Sequence, residues 1–264
     1  MHSINNPVSV YIGENAISQL ESILNDRKYL IISSAGYDTR GWKKYFKNPK
    51  HIIDSVSANP TIAELSTHIK ILREIDCDMI IGIGGGSVID TAKVLSVLSK
   101  VSENNFLDYL HGVKDCPPKD FELIAIPTTA GTGAEITPFA TVWDDINNNK
   151  LSLFSSFIYP NHAIIDPQLA LTLDSEMTAI SALDALSHSF ESLWNKNSNT
   201  YTISLALTAI NTILDNLPLL LKDLNNLDLR LKMSWSSYLG GICISSTKTA
   251  IAHSISYPLT SYLK

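Results

Sequence analysis

A carboxylate and an imidazole stand four residues apart in the segment Asp184-Ala-Leu-Ser-His188. In an α-helix this spacing places both side chains on one face. A carboxylate beside an imidazole can bind a divalent cation such as Fe²⁺, Zn²⁺, Co²⁺ or Ni²⁺. The same spacing fits an ordinary helical ion pair or a buried histidine with a hydrogen-bond partner, and the pair taken alone favours that interpretation.

A second candidate site lies at Gly84, Gly85 and Gly86, which follow an apolar run at 79–83 and precede Ser87. Apolar residues then recur with roughly helical spacing, so we predict a strand, a glycine turn and a helix capped by Ser87. Glycine lets backbone N–H groups approach a ligand and a helix N-terminus favours negative charge, so a phosphate fits here. The alternative is a tight structural turn, because the pattern is neither GxGxxG nor GxxxxGK[ST].

Strand-like and helix-like segments alternate over the first part of the chain. Short apolar runs at 8–12, 29–32, 52–53, 79–83, 123–126 and 163–165 are separated by helical stripes, and 139–142 and 151–154 are typical of a hairpin. This alternation predicts an α/β fold with a doubly wound, Rossmann-like parallel sheet. Ligands bind such sheets at the carboxyl ends of strands, where the glycine turn falls.

After Pro167 the sequence becomes helical by period, over 175–194, 201–221 and 227–239, with Pro218 at the end or in the last turn of the middle helix. We therefore expect a domain boundary at residue 166, with an α/β domain over 1–166 and an all-α domain over 167–264.

Composition excludes several classes of protein. The chain has 264 residues, 45% of them hydrophobic and 17% charged, which is typical of a soluble globular protein. A net charge of −6 without a basic stripe argues against nucleic-acid binding. Cys77, Cys116 and Cys243 are scattered, which favours a cytoplasmic location. We expect neither a signal peptide nor a membrane span.

Two longer motifs carry a family resemblance. GGGSxxDxAK occupies 84–93 and PTTAGTGxE occupies 127–135. Together they resemble the iron-containing (group III) alcohol dehydrogenases over nearly the whole chain. The resemblance implies a sheet domain followed by an all-α, dehydroquinate synthase-like domain. It also implies hydride transfer between NAD(P)(H) and a small alcohol or aldehyde.

The resemblance also implies site residues. Asp184, His188 and His253 would bind the metal, with Fe²⁺ favoured over Zn²⁺. A fourth histidine of the family pattern falls beyond Lys264, so by this resemblance the chain is C-terminally truncated and its helical domain is incomplete. Residues that follow strands or lie in the hairpin would contact the cofactor: Asn59, Gly85, Gly86, Ser87, Asp90, Thr128, Thr129, Thr132, Thr137 and Lys150.

Two residues would act near the substrate. Asp90 matches a position beside the substrate, and Tyr257 stands where many members have a histidine that relays protons; the usual tyrosine pKa of about 10 makes it a poorer relay at neutral pH. With tyrosine at this position, the chain resembles a branch of the family that includes phosphonoacetaldehyde reductase-like members. No acid follows the second strand at 30–36, and Arg40 or Lys43 could neutralise a 2′-phosphate, which favours NADP(H).

Two alternatives remain open: a dehydroquinate synthase-like lyase that uses NAD and a metal transiently, and a shortened chain that binds nucleotide without catalysis. Ile251, Ile255 and Leu259 form an apolar face with few packing partners. We therefore expect either self-association, most simply as a homodimer, or low stability.

Overall fold

The computed structural model describes residues 5–147 and 149–262, without the side chains of 104, 257, 258 and 260–262. A parallel sheet of six strands forms its first part, in the order β1-β8-β5-β4-β2-β3. The strands are β1 (Ser9–Ile12), β2 (Tyr29–Ile32), β3 (His51–Ile53), β4 (Met79–Gly84), β5 (Glu122–Pro127) and β8 (His162–Ile165). Between β5 and β8 an antiparallel hairpin joins β6 (Phe139–Asp144) to β7 (Asn149–Phe154).

Helices cover both faces of the sheet. They are α1 (Gln19–Leu24), α2 (Ile62–Arg73), α3 (Gly86–Leu98) and α4 (Phe106–Leu110). Side chains of β2 alternate between two cores: Leu30 and Ile32 pack with α2 and α3, whereas Ile31 packs on the opposite face with α1. Strands that are buried on both faces are typical of parallel sheets, so the predicted doubly wound α/β fold is confirmed.

The second part is helical. It contains α5 (Ser175–Trp194), α6 (Thr200–Leu220), α7 (Leu227–Thr247) and α8 (Ile251–Tyr262). Pro218 lies in the last turn of α6, as expected. The sequence predicted that α7 would end at residue 239, and this was wrong, because the helix continues through Gly240 and Gly241.

Close backbone contacts join the sheet to these helices. A Cβ added at Gly133 would lie 2.6 Å from the Cα of Gly241, and one added at Gly131 would lie 2.6 Å from the carbonyl oxygen of Ser181. Gly133 also has a φ of +61°, which disfavours residues with a side chain. Glycines at 240 and 241 therefore serve packing, which outweighs their weak helix propensity.

The helix α6 is long and apolar enough to cross a membrane, with a mean hydropathy of 1.4. It packs along α5 and α7, and buries Ala206, Ala209 and Ile213. One such helix is weak evidence for a membrane protein, because core helices of soluble proteins have the same length and composition.

Candidate functional site

The glycine turn at the carboxyl end of β4 begins the site. The helix α3 starts at Gly86 with Gly85 at its N-cap position, so Ser87 lies in the first turn and the expected Ser87 cap was wrong. The Ser87 hydroxyl accepts a hydrogen bond from the backbone N–H of Asn59 at 3.3 Å instead. A Cβ added at Gly86 would lie 2.7 Å from Cγ2 of Thr132, so the close approach of these two segments requires glycine.

One turn further along α3, a buried ion pair ties the helix to the hairpin. Lys93 is fully buried, and its Nζ donates to the carbonyl of Phe139 at 2.7 Å and to Oγ1 of Thr137 at 3.2 Å. Asp90 lies 3.8 Å from this Nζ and accepts the backbone N–H of Thr141 at 2.8 Å. Burial raises the pKa of Asp90, although Lys93 opposes the shift. Burial likewise lowers the pKa of Lys93 to about 8.

The hairpin adds a second cation next to this pair. Lys150, on β7, lies opposite Trp143 of β6. Burial lowers its pKa, and the nearby carboxylates of Asp90 and Asp184 oppose that shift. The ammonium group of Lys150 therefore interacts electrostatically with Asp90 on α3 and with Asp184 on α5.

The three predicted metal ligands converge. Oδ1 of Asp184 lies 3.7 Å from Nε2 of His188 and 3.6 Å from Nε2 of His253, and the two rings stack with centroids 4.7 Å apart. All three ligand atoms lie within 4.8 Å of one another. One carboxylate oxygen and two imidazole nitrogens suit a divalent transition metal, so the donor set fits the ion that the family implies.

The electrostatics of this cluster are those of one acid shared by two imidazoles. Burial opposes the charge of Asp184, but His188 and His253 outweigh it and lower its pKa. Burial lowers the pKa of His188, which favours the neutral, ligating ring. For His253 burial acts in the same direction, but Asp184 and Glu191 outweigh it and raise its pKa.

Glu191 is a residue that the sequence reasoning missed. Its side chain is fully buried, and it accepts hydrogen bonds from Nδ1 of His253 at 2.5 Å and from the backbone N–H groups of Ala252 and His253 at 2.7 and 3.2 Å. It lies seven residues after Asp184 and three after His188, on the same helical face. That spacing was the signal available in the sequence.

One cavity of about 520 Å³ joins these groups. The predicted residues that line it are Asn59, Gly86, Ser87, Asp90, Thr132, Thr137, Lys150, Asp184, His188 and His253. Gly85, Thr128 and Thr129 do not line it, and the side chain of Tyr257 lies outside the described residues. A Cβ at Gly85 would lie 3.6 Å from Thr129, so that threonine borders the turn from the side.

The sequence reasoning also missed part of the cavity wall. Phe154, Ile244, Lys248, Thr249 and Ser256 line the cavity. Lys248 follows α7 with a φ of +66°, and its Nζ lies 4.6 Å from the ring centroid of Phe154. No sequence pattern predicts that a lysine adopts a positive φ, which is uncommon outside glycine, asparagine and aspartate.

Family models match both parts of the chain. The model of the iron-containing alcohol dehydrogenases matches residues 7–167, and that of the C-terminal part of the Fe-containing alcohol dehydrogenase family matches residues 178–264. The chain belongs to the iron-containing alcohol dehydrogenase family. Membership in this family supports an oxidoreductase.

Individual relatives agree with this assignment. The chain is 34% identical to the long-chain primary alcohol dehydrogenase AdhA of Thermoanaerobacter ethanolicus, covering 96% of this chain and 66% of that protein. It superimposes on the sulfoacetaldehyde reductase of Bifidobacterium kashiwanohense in complex with NAD⁺ with a TM-score of 0.93 at 25% identity, covering 98% of this chain and 71% of that one. For an iron-containing alcohol dehydrogenase of Thermotoga maritima the TM-score is 0.86 at 30% identity, covering 99% and 74%.

The chain is shorter than these relatives. Its match to the aldehyde-alcohol dehydrogenase of Streptococcus pneumoniae, at 33% identity, covers 79% of this chain and 24% of that protein.

Proposed function

We propose that this chain interconverts a small alcohol and its aldehyde with NAD(P)(H), using a divalent metal ion held by Asp184, His188 and His253. One observation carries the proposal: the glycine turn and the Asp–His cluster line the same cavity, on the sheet side and the helical side. A dinucleotide whose pyrophosphate bound at the turn would occupy the same cavity as the cluster.

The residues that line the cavity then have separate roles. Gly86 and Ser87 bind the pyrophosphate through backbone donors at the start of α3. Asp90 and Lys150 hold the hydroxyls of the nicotinamide ribose, because they offer an acceptor and a donor in the cavity wall. When bound, the metal supplies a Lewis acid for the substrate oxygen, Fe²⁺ before Zn²⁺ in our proposal. We propose that Tyr257, which follows His253 by one helical turn in α8, relays the proton.

The remaining cofactor contacts follow from the same placement. Asn59, Thr132 and Thr137 line the cavity beside the turn. Gly85 belongs to the turn, and Thr128 and Thr129 lie next to it, but none of the three lines the cavity, so we propose only indirect roles for them.

For the cofactor we propose a preference for NADP(H). Nη1 of Arg40 donates to Oγ of Ser34 at 3.2 Å, just past β2, and the guanidinium lies 5.1 Å from the ring centroid of Trp42. Lys43 lies 3.9 Å from Asp38, so Arg40 is the better partner for a 2′-phosphate. Titration with NADP⁺ and NAD⁺ tests this preference. Arg40→Ala should weaken the binding of NADP⁺ and leave the binding of NAD⁺ unchanged.

For the substrate we propose small aldehydes, including those with a sulfonate or phosphonate group. The similarity to a sulfoacetaldehyde reductase and the cation of Lys248 in the cavity wall support this choice. The three cysteines are free thiols, which fits the cytoplasmic location that we propose. We also propose a homodimer, because Ile251 and Ile255 are 70% and 58% exposed.

The test combines metal analysis with NADPH oxidation by neutral and anionic aldehydes. Stoichiometric loss of NADPH with aldehyde by the metal-loaded chain supports the proposal. His188→Ala should abolish turnover, whereas His51→Ala, at an exposed histidine, should not. Nucleotide binding without metal or turnover refutes the proposal and favours the non-catalytic alternative, and turnover without net loss of NADPH favours the lyase.

A further inference from the structure

We propose that Glu191 is a positioning residue, which fixes the ring orientation and the tautomer of His253 and fastens the helix α8 to the metal site. The inference rests on the proposed metal site and adds a residue that does not touch the ion. The side chain of Glu191 is buried, and it accepts two hydrogen bonds from His253 and one from the neighbouring Ala252.

Glu191 lies on α5 together with two of the proposed metal ligands. Asp184, His188 and Glu191 are at positions i, i+4 and i+7 of this helix, so two ligands and the carboxylate share one face. The side chain of Glu191 has no exposed surface. A buried carboxylate is costly unless charged or polar partners compensate it, so its contacts must be specific.

The contact between Glu191 and the ring of His253 determines which ring nitrogen carries the proton. A carboxylate only accepts hydrogen bonds, so Nδ1 of His253, at 2.5 Å from Oε2 of Glu191, must carry the proton. The lone pair of the ring is then on Nε2, which lies 3.6 Å from Oδ1 of Asp184. Such a carboxylate contact fixes the ring of a metal-bound histidine and increases its basicity.

Glu191 also contacts the backbone at the start of α8. The first N–H groups of a helix have no partner within it. Oε1 of Glu191 accepts two of them, from Ala252 and His253. Both oxygens of one carboxylate are therefore used, one for the start of α8 and the other for the ring. The position of His253 thus depends on α5 at two points.

The experiment measures the dissociation constant of Zn²⁺ or Co²⁺ by competition with a chelator. Glu191→Gln should bind the metal about 10- to 100-fold more weakly, because one amide oxygen cannot accept from both the ring and the backbone. Glu176→Gln, at an exposed glutamate in the first turn of α5, is the matched control and should bind as the unaltered chain does. In a His253→Ala background, Glu191→Gln should change the residual affinity less than twofold.

The outcomes separate the two proposals. If the unaltered chain binds no metal, the proposed function fails, and this inference fails with it. If the unaltered chain binds metal but Glu191→Gln binds equally well, or loses as much affinity without His253 as with it, only the role of Glu191 is overturned.

A second measurement avoids any folding defect of the variant. Nitrogen-15 NMR of the unaltered, metal-free chain should show the neutral ring of His253 with its proton on Nδ1. A proton on Nε2 would overturn the inference.

Discussion

Lys93→Met removes the cation from the buried pair beside the cavity. The methionine fills much of the same volume, but the carboxylate of Asp90 loses the charge of Lys93 and keeps the hydrogen bond from the N–H of Thr141 and the charge of Lys150. Breaking a buried ion pair by removing one partner costs about 3–5 kcal/mol of folding stability. We expect a loss of that size.

The matched control is Lys100→Met, just after the same helix. Lys100 pairs with Asp120 at 2.7 Å, but 78% of its side chain is exposed. Exposed ion pairs contribute at most about 1 kcal/mol, so this variant should lose little.

The loss at Lys93 should depend on pH. Burial raises the pKa of Asp90, so at pH values between its unfolded and its folded pKa the folded state binds more protons at this group than the unfolded chain does. Stability attached to this group is therefore greatest at low pH and decreases as the pH rises, and without Lys93 the decrease becomes larger. Urea unfolding of both variants at pH 5 and pH 7 measures it. Equal losses for the two variants, or a smaller Lys93→Met loss at pH 7, would refute the reasoning.

Three other changes have defined outcomes. Gly86→Ala should lose about 1–3 kcal/mol of unfolding free energy in urea, because its Cβ would overlap Thr132. Burial lowers the pKa of His68, so this histidine should reduce stability as the pH falls below its unfolded pKa of about 6.5, and His68→Gln should make the urea midpoints depend less steeply on pH. Ile251→Ser combined with Ile255→Ser should shift a dimer to a monomer in sedimentation, because both side chains are exposed on α8.

Each of these has a contrary result. Gly85→Ala is the control for the first, since a Cβ there makes only an ordinary 3.6 Å contact, and equal losses would contradict the steric argument. A His68→Gln protein whose urea midpoints fall with pH as steeply as those of the unaltered chain would exclude this histidine as a cause. A monomeric unaltered chain would contradict the predicted self-association.

The strands were predictable because their signal is local. A run such as 79–83 is buried on both faces and needs no knowledge of its neighbours. The order of strands in the sheet depends on packing between distant segments, and the sequence reasoning did not predict it. The predicted end of α7 was wrong for a related reason. Two consecutive glycines suggest a break in the helix, but tertiary contacts keep Gly240 and Gly241 helical.

For the site, spacing alone predicted that Asp184 and His188 share a face. His253 lies 65 residues after His188, and only the family resemblance connected it to them. Glu191 escaped notice because a carboxylate on an apparent surface helix is ordinary, and its burial depends on α8. A contact of this kind becomes visible only when both helices are in place.

The glycine contact between residues 133 and 241 has a consequence for the width of the cavity. Because no side chain separates the two backbones, the sheet and the helical part come into close contact there. The glycine turn lines the cavity from the sheet side and the Asp–His cluster lines it from the helical side. A single methyl group at residue 133 or 241 would push these two sides apart without altering any residue that lines the cavity.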